Sequence, residues 1–429
     1  MDQALQDALR ELGNETGSPL RIGGIAARDL VAAHGSPLYV FDADVLRRRV
    51  REVRAALGPR VELLWSVKAN PSLAVTRCLR DEGTGAEIAS LGELHVATAA
   101  GHPAAELRFA GPGKTDAEID AGVAAGLTFH AESADEVGAI AAAADRSGRA
   151  ARVAVRINLP GELGGSRLRM GGKSSRFGVD EDRVPAVVRT IAGHPSLRLA
   201  GLHVYGGTQG FDAAAFVRHA STVVARSAAW EHQLGVAFDE LDLGGGFGVA
   251  AYAGDPRFDL AAAGHGVQEL VHANDRPGRR WFVELGRYLC APAGVYLATV
   301  VRTKDSGGER HVVLDGGLHQ HAAAAGFGAI LRRPPLLVHT DDPCAIGTTV
   351  TVGGPLCTSA DQFAEQAALP PLANGDVVAI LAAGAYGLTF SPHSFLSHAT
   401  PAEVMVDAGR ARVVRARGTP SDSLRGQAP

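Results

Sequence analysis

The sequence has few cysteines, and their spacing does not suit a metal site or a disulfide framework. Its 429 residues contain four cysteines, far apart and with no CxxC pair. A structural zinc site needs closely spaced ligands, and a small secreted scaffold needs many paired cysteines. We therefore expect a protein of the reducing cytoplasm, without structural zinc. The four are Cys78, Cys290, Cys344 and Cys357.

Long apolar runs and a strong net charge are also lacking. No run reaches the roughly eighteen apolar residues that a membrane helix needs. The amino terminus carries acidic residues where a signal peptide has a basic region. The formal net charge is only −4, so the charge balance indicates neither nucleic acid nor a membrane surface as a partner. Small molecules are the expected ligands.

Eight short apolar runs alternate with alanine-rich helical stretches in the first two thirds of the chain. Such alternation indicates a parallel sheet with right-handed crossovers, and eight units close into an α/β barrel of the TIM type. An open doubly wound sheet is the alternative, but polar residues follow nearly every run, as at the catalytic end of a barrel. The runs cover residues 61–67, 85–90, 106–111, 127–133, 152–158, 199–205, 238–244 and 280–286.

The pattern changes at about Cys290, where period-two runs separated by turn residues predict an antiparallel β domain. A chain of this length is expected to hold more than one core. The predicted limits are 1–42 for an amino-terminal segment that joins the β domain, 43–289 for the barrel, 290–417 for the β domain, and 418–429 for a disordered tail.

The run at 61–67 brings one lysine, Lys68, to the end of a predicted buried strand. A partly desolvated ammonium has a lowered pKa, which makes a neutral, nucleophilic amine accessible, as a Schiff-base lysine requires. A lysine that reaches the rim of the core without any chemical role is the alternative. On this stretch alone, that alternative is the commoner case.

Three further features suit a phosphate group. Three glycines follow a strand in LDLGGGFGV and let backbone N–H groups approach an anion. Thr208 in GGTQ offers a hydroxyl, and Arg287 in ELGR offers a guanidinium that can bind a phosphate in two places. A tight turn would also account for the glycines, and a surface ion pair would account for Arg287. Together with Lys68 and the nearby carboxylate of Glu284, these features indicate pyridoxal phosphate.

Ten motifs occur in order along the chain: SVKAN, GAEIASLGEL, FAGPGKT, HAES, RFGVD, GLHVYGGTQ, LDLGGGFG, ELGRYL, GPLCTSAD and GAYG. In these motifs the chain resembles the alanine-racemase-fold, or fold type III, decarboxylases. That pyridoxal-phosphate-dependent group includes diaminopimelate and ornithine decarboxylases. The resemblance extends over roughly residues 36–414 and implies a homodimer with shared active sites.

The resemblance implies roles for individual residues. Lys68 corresponds to the cofactor lysine, and Glu284 to the carboxylate that keeps the pyridine nitrogen protonated. An ion pair at about 4 Å in an intermediate dielectric is worth roughly 4 kcal/mol, enough for that task. Cys357 corresponds to a proton donor that reaches the site from the partner subunit. The other implied cofactor contacts are Glu87, Arg156, His203, Tyr205, Thr208, Gly244, Gly245, Gly246, Gly286, Arg287 and Tyr386.

The chain also departs from the family pattern. Tyr205 stands where relatives have a histidine stacked on the cofactor, while His203 occupies the preceding histidine position. Leu285 replaces the proline of the usual EPGR. Thr358 stands where diaminopimelate decarboxylases carry a glutamate that holds the distal amino group of the substrate. The expected substrate contacts are Thr358, Asp361, His319 and Phe395.

Two segments, GGLHQHAAAAGFG and AGAYGLTFSPHSFLSHATPAEV, resemble a biosynthetic branch of the family. That branch contains the carrier-protein-linked glutamate decarboxylase of butirosin assembly. The HQH pair, His319 and His321, lacks a nearby third ligand, so no metal site is predicted. The basic loop at 161–176 is expected to dock an acidic carrier protein or to form a solvated lid. Its charges are Arg167, Arg169, Lys173 and Arg176.

We therefore expect a homodimeric, pyridoxal-phosphate-dependent decarboxylase from a specialised biosynthetic pathway. Its substrate would be an L-α-amino acid or a derivative that is modified on its side chain or bound to a carrier protein. Diaminopimelate decarboxylase of lysine biosynthesis is one alternative. An amino-acid racemase on the same fold is another, and it would need a second catalytic base. A non-catalytic cofactor-binding protein is a third, which the β domain with its GPLC motif argues against.

Overall fold

The structure, a computed structural model, describes residues 2–15, 17–159, 175–327 and 333–428, and the backbone of a two-residue strand at 168–169. The chain divides into two compact units. One comprises Arg49–Gly248 and Phe258–Tyr288, and the other comprises Met1–Arg48, Val249–Arg257 and Leu289–Pro429. The sequence pattern does not foresee that Val249–Arg257 belongs to the second unit.

The chain begins with a capped helix, in which the Asp2 side chain accepts a hydrogen bond from the backbone N–H of Leu5. Two very short strands, a second helix, a fully buried strand and a long third helix follow. These elements are α1 (Gln3–Glu11), β1 (Arg21–Ile22), β2 (Ile25–Ala26), α2 (Ala27–His34), β3 (Leu38–Asp42) and α3 (Ala43–Leu57).

All eight apolar runs form strands of one parallel sheet. The strands of this part are β4 (Val61–Ser66), β5 (Gly85–Ile88), β6 (Leu107–Phe109), β7 (Thr128–Ala131), β8 (Ala151–Asn158), β9 (Leu168–Arg169), β10 (Val179–Asp180), β11 (Leu197–Val204), β12 (Gly207–Thr208), β13 (Glu240–Gly245) and β14 (Arg280–Leu285). The hydrogen-bonded order β8-β11-β13-β14-β4-β5-β6-β7 closes because β7 also pairs with β8. The predicted barrel is confirmed, and the open-sheet alternative is wrong.

Helices follow the barrel strands, and several begin at a capping side chain directly after a strand. Ser90, Thr115, Ser133 and Asp212 each accept the N–H of a residue three positions later. These caps turn the chain back over the sheet and leave the strand ends to carry polar side chains. The helices are α4 (Leu73–Asp81), α5 (Leu91–Ala100), α6 (Asp116–Ala125), α7 (Ala134–Ser147), α8 (Val184–Gly193), α9 (Ala213–Leu234), α10 (Leu260–Asn274) and α11 (Arg287–Cys290).

The second unit contains a largely antiparallel sheet. Its later strands are β15 (Gly294–Ser306), β16 (Glu309–Leu314), β17 (Leu337–His339), β18 (Thr348–Gly353), β19 (Gln362–Leu369), β20 (Val377–Ile380), β21 (Ala402–Asp407) and β22 (Arg410–Arg415). The order is β19-β18-β16-β15-β3-β21-β22, and β20 pairs with both β15 and β17. The amino-terminal β3 therefore lies within this sheet, antiparallel to β15 and parallel to β21.

The end of the chain differs from the predicted disordered tail. Pro420–Leu424 forms a 3-10 helix, and Thr419 and Asp422 cap it reciprocally. A Thr-Pro-Ser-Asp sequence favours this turn because the carboxylate accepts the free N–H of Thr419. Among the described residues, no helix combines the length and the apolar character needed to cross a membrane.

Candidate active site

Lys68 forms an ion pair with Glu87 at the carboxyl ends of two neighbouring strands. A single 3-10 turn, Val67–Ala69, follows β4 and carries the lysine, while Glu87 lies in β5 opposite Ser66. The lysine Nζ is 3.0 and 2.8 Å from the two carboxylate oxygens. Glu87 is buried, but the Lys68 side chain is 34% exposed. The Glu87 carboxylate thus holds the Lys68 amine in place, and the lysine side chain remains accessible.

Tyr205 lies beside the same amine. The Lys68 Nζ is 5.4 Å from the centroid of the Tyr205 ring, within the range of a cation–π contact. The sequence predicts Tyr205 as the ring that stacks on the cofactor. Its position next to Lys68 is compatible with that prediction.

Glu284 is the centre of a buried polar cluster inside the barrel. Its Oε2 is 3.3 Å from Nε2 of His203, which comes from β11. The ring of His130, from β7, stacks on His203 with centroids 4.1 Å apart, and its Nδ1 is 3.9 Å from Oε1 of Glu284. All three side chains are at most 2% exposed. Two strands, β7 and β11, therefore direct histidines at one carboxylate carried by β14.

The neighbours of Glu284 decide its charge. Burial raises the pKa of Glu284, but His203, Lys68 and Asp242 outweigh burial and hold that pKa at about 2. Burial and the Glu284 charge raise the pKa of Asp242 well above its usual range. Burial also lowers the pKa of His130, so that ring is neutral. Glu284 carries the negative charge, and Asp242 retains a proton.

The cluster fits the pyridine end of pyridoxal phosphate. Oε1 of Glu284 is buried, and no N–H group of the described residues donates to it, while Asp242 hydrogen-bonds to the same carboxylate. Each further donor stabilises a buried carboxylate. A protonated ring nitrogen would supply such a donor, and Glu284 would keep it protonated.

The same cluster has the donor types of a metal site. The ligand atoms of His130, His203, Asp242 and Glu284 lie within 4.8 Å of one another, and histidine with carboxylate suits several transition metals. However, His203 already contacts the Glu284 carboxylate, and Asp242 hydrogen-bonds to it. We therefore interpret the cluster as electrostatic support for Glu284.

Three glycines at the end of β13, Gly244 to Gly246, lie where the backbone leaves no room for a side chain. Gly244 and Gly246 have φ of +70° and +80°. A Cβ on Gly246 would lie 2.0 Å from the carbonyl oxygen of Gly207, and one on Gly245 would lie 1.9 Å from that of Glu284. The loop therefore packs directly on the Gly207–Thr208 strand β12 and on β14. Because glycine has no side chain, the backbone N–H groups here can approach an anion closely.

Gly286 and Arg287 follow β14 immediately. A Cβ on Gly286 would lie 2.8 Å from Cβ of Ala69, so the glycine lets β14 approach the turn that holds Lys68. Arg287 begins α11. The predicted anion-binding residues of the barrel thus come after β11 (Thr208), at the end of β13 (Gly244 to Gly246) and after β14 (Arg287), and these three strands are consecutive in the sheet.

Arg156 and Lys114 are engaged in structural contacts. Arg156 Nη1 is 2.8 Å from Glu132, which also accepts the backbone N–H of Gly111 and Gly178. Lys114 Nζ donates to two backbone carbonyls and to Glu136. Both side chains stabilise the loops after β6 to β8. The implied cofactor role of Arg156 stays a prediction.

Three residues near the site have no assigned role in the motifs. His130 lies in HAES, inside β7, and Asp242 lies in LDLGGG, inside β13. Glu93 lies in the first turn of α5, and its carboxylate accepts the N–H of Ala89. Burial and the charge of Glu87 raise the Glu93 pKa to about 7. A polar residue within an apolar run is the sequence signal for His130 and Asp242, whereas Glu93 has the sequence position of an ordinary N-terminal helix residue.

The remaining predicted residues belong to the second unit. Cys357 is exposed, and the hydroxyl of Thr358 accepts the N–H of Ala360 at 3.3 Å. Asp361 is buried, and its two oxygens accept the N–H groups of Leu318 and Leu356.

His319 is buried, and its ring centroid lies 4.8 Å from that of His398. Burial, and to a smaller extent the charge of His398, lowers the pKa of His319 to about 4. Phe395 is 45% exposed, and Tyr386 has a φ of +52°. In the predicted basic loop, residues 161–174 lie outside the described residues, including Arg167 and Lys173 and the side chain of Arg169. Arg176 is exposed.

Residues 43–291 match the family described as pyridoxal-dependent decarboxylase, pyridoxal binding domain. The chain belongs to this family. Pyridoxal-dependent decarboxylases of this type use pyridoxal phosphate and act on amino acids, so the predicted fold type, cofactor and enzyme class are confirmed.

Individual relatives cover nearly the whole chain. The L-glutamyl-[BtrI acyl-carrier protein] decarboxylase of Niallia circulans is 34% identical over 90% of this chain and 92% of its own length. The diaminopimelate decarboxylase of Actinosynnema pretiosum is 33% identical over 99% and 96%. The solved diaminopimelate decarboxylase of M. jannaschii superposes with a TM-score of 0.88, at 25% identity over 98% and 99%.

Proposed function

We propose that this decarboxylase acts on an L-α-amino acid whose side chain is modified or attached to an acyl carrier protein. The observation that carries the proposal is Thr358, the residue after Cys357. Its hydroxyl is neutral and accepts a backbone N–H, whereas the resemblance places a glutamate here in diaminopimelate decarboxylases. This position therefore lacks the charge that would hold a distal ammonium.

The energetics favour a substrate without that ammonium. A charged group buried without a partner costs several kcal/mol. Phe395 and Leu396, which replace the Tyr-Asn pair of diaminopimelate decarboxylases, are 45% and 49% exposed and add apolar surface without charge. A neutral amide or thioester linkage on the substrate side chain avoids the cost altogether.

Two relatives support this substrate class. The N. circulans relative is named for a glutamyl group on an acyl carrier protein. A Staphylococcus aureus relative, 27% identical over 85% of this chain, is named as a decarboxylase of 2-[(L-alanin-3-ylcarbamoyl)methyl]-2-hydroxybutanedioate, an alanine derivative extended through an amide. Neither name describes a free diamino acid.

In this proposal the barrel residues hold pyridoxal phosphate. Lys68 would carry it, and Glu284 would keep its ring nitrogen protonated. The residues that would hold the phosphate are Gly244 to Gly246, Thr208 and Arg287. When bound, the cofactor supplies an electron sink for the electron pair left as carbon dioxide departs. Tyr205 and His203 would border the ring. Glu87 accepts hydrogen bonds from Nζ of Lys68 at 2.8 and 3.0 Å, which would place a carboxylate beside the free amine.

Cys357 and Tyr386 enter the proposal through their motifs, as proton donor and phosphate ligand. Because the motif cysteine of the family serves the partner's site, the proposal includes a homodimer with shared active sites. His319 and Phe395 stay predicted substrate contacts. Asp361 is different, because both of its carboxylate oxygens already bind backbone N–H groups.

Steady-state kinetics of the holoenzyme test the proposal. Carbon dioxide release is compared for free meso-diaminopimelate, free L-glutamate, and L-glutamate loaded on an acyl carrier protein or on pantetheine. We expect the loaded forms to have the higher kcat/KM. A kcat/KM for free meso-diaminopimelate equal to or above that of every loaded form would replace this assignment with the lysine-pathway enzyme.

A further inference from the structure

The Cys357 segment is a compact loop closed by backbone hydrogen bonds. The N–H of Gly354 donates to the carbonyl of Asp361 at 3.1 Å, and the N–H of Asp361 donates to the carbonyl of Thr358 at 3.2 Å. The thiol at the tip is exposed. The ends of the eight-residue loop, Gly354 and Asp361, are thus tied together, and Cys357 projects from it.

The side chain of Asp361 joins this loop to a second one. Its Oδ2 accepts the N–H of Leu356 at 2.8 Å, and its Oδ1 accepts the N–H of Leu318 at 2.6 Å. Leu356 directly precedes Cys357, and Leu318 directly precedes His319. Asp361 is only 6% exposed. One carboxylate thereby ties together the backbones that carry two predicted site residues.

Two glycines make room for this carboxylate. A Cβ on Gly317 would lie 2.4 Å from Oδ1 of Asp361, and a Cβ on Gly354 would lie 2.4 Å from Oδ2. The Gly354 Cβ would also lie 2.5 Å from Cα of Gly317, so the two loops touch through their backbones. The DGG and GPLC motifs therefore share one packing function.

We propose that Asp361 is a positioning residue that holds the Cys357 loop and the His319 segment in one fixed arrangement. This replaces the sequence-based prediction that Asp361 contacts the substrate, since both of its oxygens bind backbone N–H groups of its own unit. The catalytic significance rests on the proposed role of Cys357, but the positioning itself does not.

The test measures amide hydrogen exchange at Leu318 and Leu356 in the holoenzyme, because Asp361 accepts both of these N–H groups. The Cys357 thiol is exposed already in the closed loop, so its reactivity would not report opening. In Asp361→Asn, one oxygen becomes an NH2 group that faces a backbone N–H. Losing one hydrogen bond to a charged acceptor shifts the closed-to-open equilibrium of the loop by roughly tenfold. We expect the affected amide to exchange about tenfold faster.

Glu365→Gln is the matched control, because Glu365 is exposed on β19 and undergoes the same acid-to-amide change. Its Leu318 and Leu356 amides should exchange at the wild-type rate. Gly317→Ala displaces the Asp361 carboxylate with a new Cβ and should accelerate the exchange as Asp361→Asn does. It therefore tests the proposal if Asp361→Asn does not fold. An unchanged or slower rate in a folded variant of either kind overturns the proposal.

Hydrogen exchange of the unmodified protein supplies a reading that needs no variant. The N–H groups of Leu318 and Leu356 should be protected together, and exchange of either at the rate of an open loop overturns the proposal. A second expectation concerns turnover. Asp361→Asn should lower kcat while the bound cofactor content stays at the wild-type level. Amide exchange involves no substrate. A wrong substrate assignment is therefore distinguishable from a wrong positioning role for Asp361.

Discussion

Oε2 of Glu284 lies 3.3 Å from Nε2 of His203 in the interior of the barrel, with both side chains 1% exposed. This contact, with Asp242 and Lys68, outweighs the effect of burial and keeps the carboxylate ionised. Four strands, β7, β11, β13 and β14, supply the cluster. The charge of Glu284 is therefore a property of the assembled barrel.

Glu284→Gln should lower turnover by about 10²- to 10³-fold. The variant would lose the ion pair between Glu284 and a protonated pyridine nitrogen, which is worth roughly 4 kcal/mol at about 4 Å. Its pKa is depressed to about 2, so its contribution is present above the ordinary value and is lost only as the pH falls through about 2. The ratio of wild-type to variant cofactor affinity should therefore be constant between pH 5.5 and 8. Titration of both apoproteins with pyridoxal phosphate measures it.

Glu62→Gln is the control for this change, since Glu62 lies in β4 and pairs with Arg280 at the barrel surface. It should keep the wild-type affinity for the cofactor. A wild-type to Glu284→Gln ratio that falls steadily from pH 8 to 5.5 would contradict an ionised Glu284.

Lys68→Ala should abolish both turnover and the covalent trapping of the cofactor by borohydride. Lys68 is one of four lysines in the chain, and Lys114 is buried with three acceptors. Mass spectrometry of the reduced protein identifies the modified lysine. Exposed Lys304→Ala should be trapped like the wild type. Trapping at any other lysine in Lys68→Ala would remove Lys68 from its role.

Cys357→Ala should retain the cofactor and turn over slowly or with misdirected protonation, because only the step after loss of carbon dioxide needs the thiol. Cys344→Ala, which removes a half-buried thiol of the same unit, should behave like the wild type. Mixing Lys68→Ala and Cys357→Ala subunits should raise the activity above that of either variant alone, since a hybrid dimer has one intact composite site. If the subunits exchange but the mixture recovers no activity, shared active sites are excluded.

Gly246→Ala should weaken cofactor binding at least tenfold. The left-handed φ of +80° costs about 1–3 kcal/mol for a residue with a side chain, and the new Cβ would lie 2.0 Å from the carbonyl oxygen of Gly207. Gly210→Ala is the matched control, because its Cβ would be 3.8 Å from the nearest atom. Fluorescence titration with pyridoxal phosphate compares the two. Equal affinities would show that the loop does not need glycine.

Glu93 should make the protein less stable as the pH rises. Burial and Glu87 raise its pKa to about 7, so its stabilising contribution is present below the ordinary carboxyl range and is lost as the pH rises through about 7. Glu93→Gln should remove about 1–2 kcal/mol of that pH dependence. Denaturant unfolding at pH 5.5 and 8.5 measures it, with exposed Glu269→Gln as control. The same pH dependence in Glu93→Gln and wild type would be inconsistent with this pKa.

The sequence determined the barrel because each strand is a local signal. A buried parallel strand must be a short apolar run, and a capping residue such as Ser90 or Thr115 must start the helix that follows. Both signals can be read without knowing any neighbour. The lysine at the end of β4 and the glycines after β13 are equally local, since their motifs fix the residue types at a turn.

Only the tertiary structure decided which polar residues act together. Lys68 and Lys114 both follow apolar runs, yet one keeps an accessible amine beside Glu87 and the other is buried among carbonyls and Glu136. Likewise, Asp361 is a polar residue near a catalytic cysteine in the sequence but binds two backbone N–H groups in the structure. The charge state of Glu284 depends on His203 and Asp242, from different strands, because electrostatic interactions act through space between groups that the sequence separates.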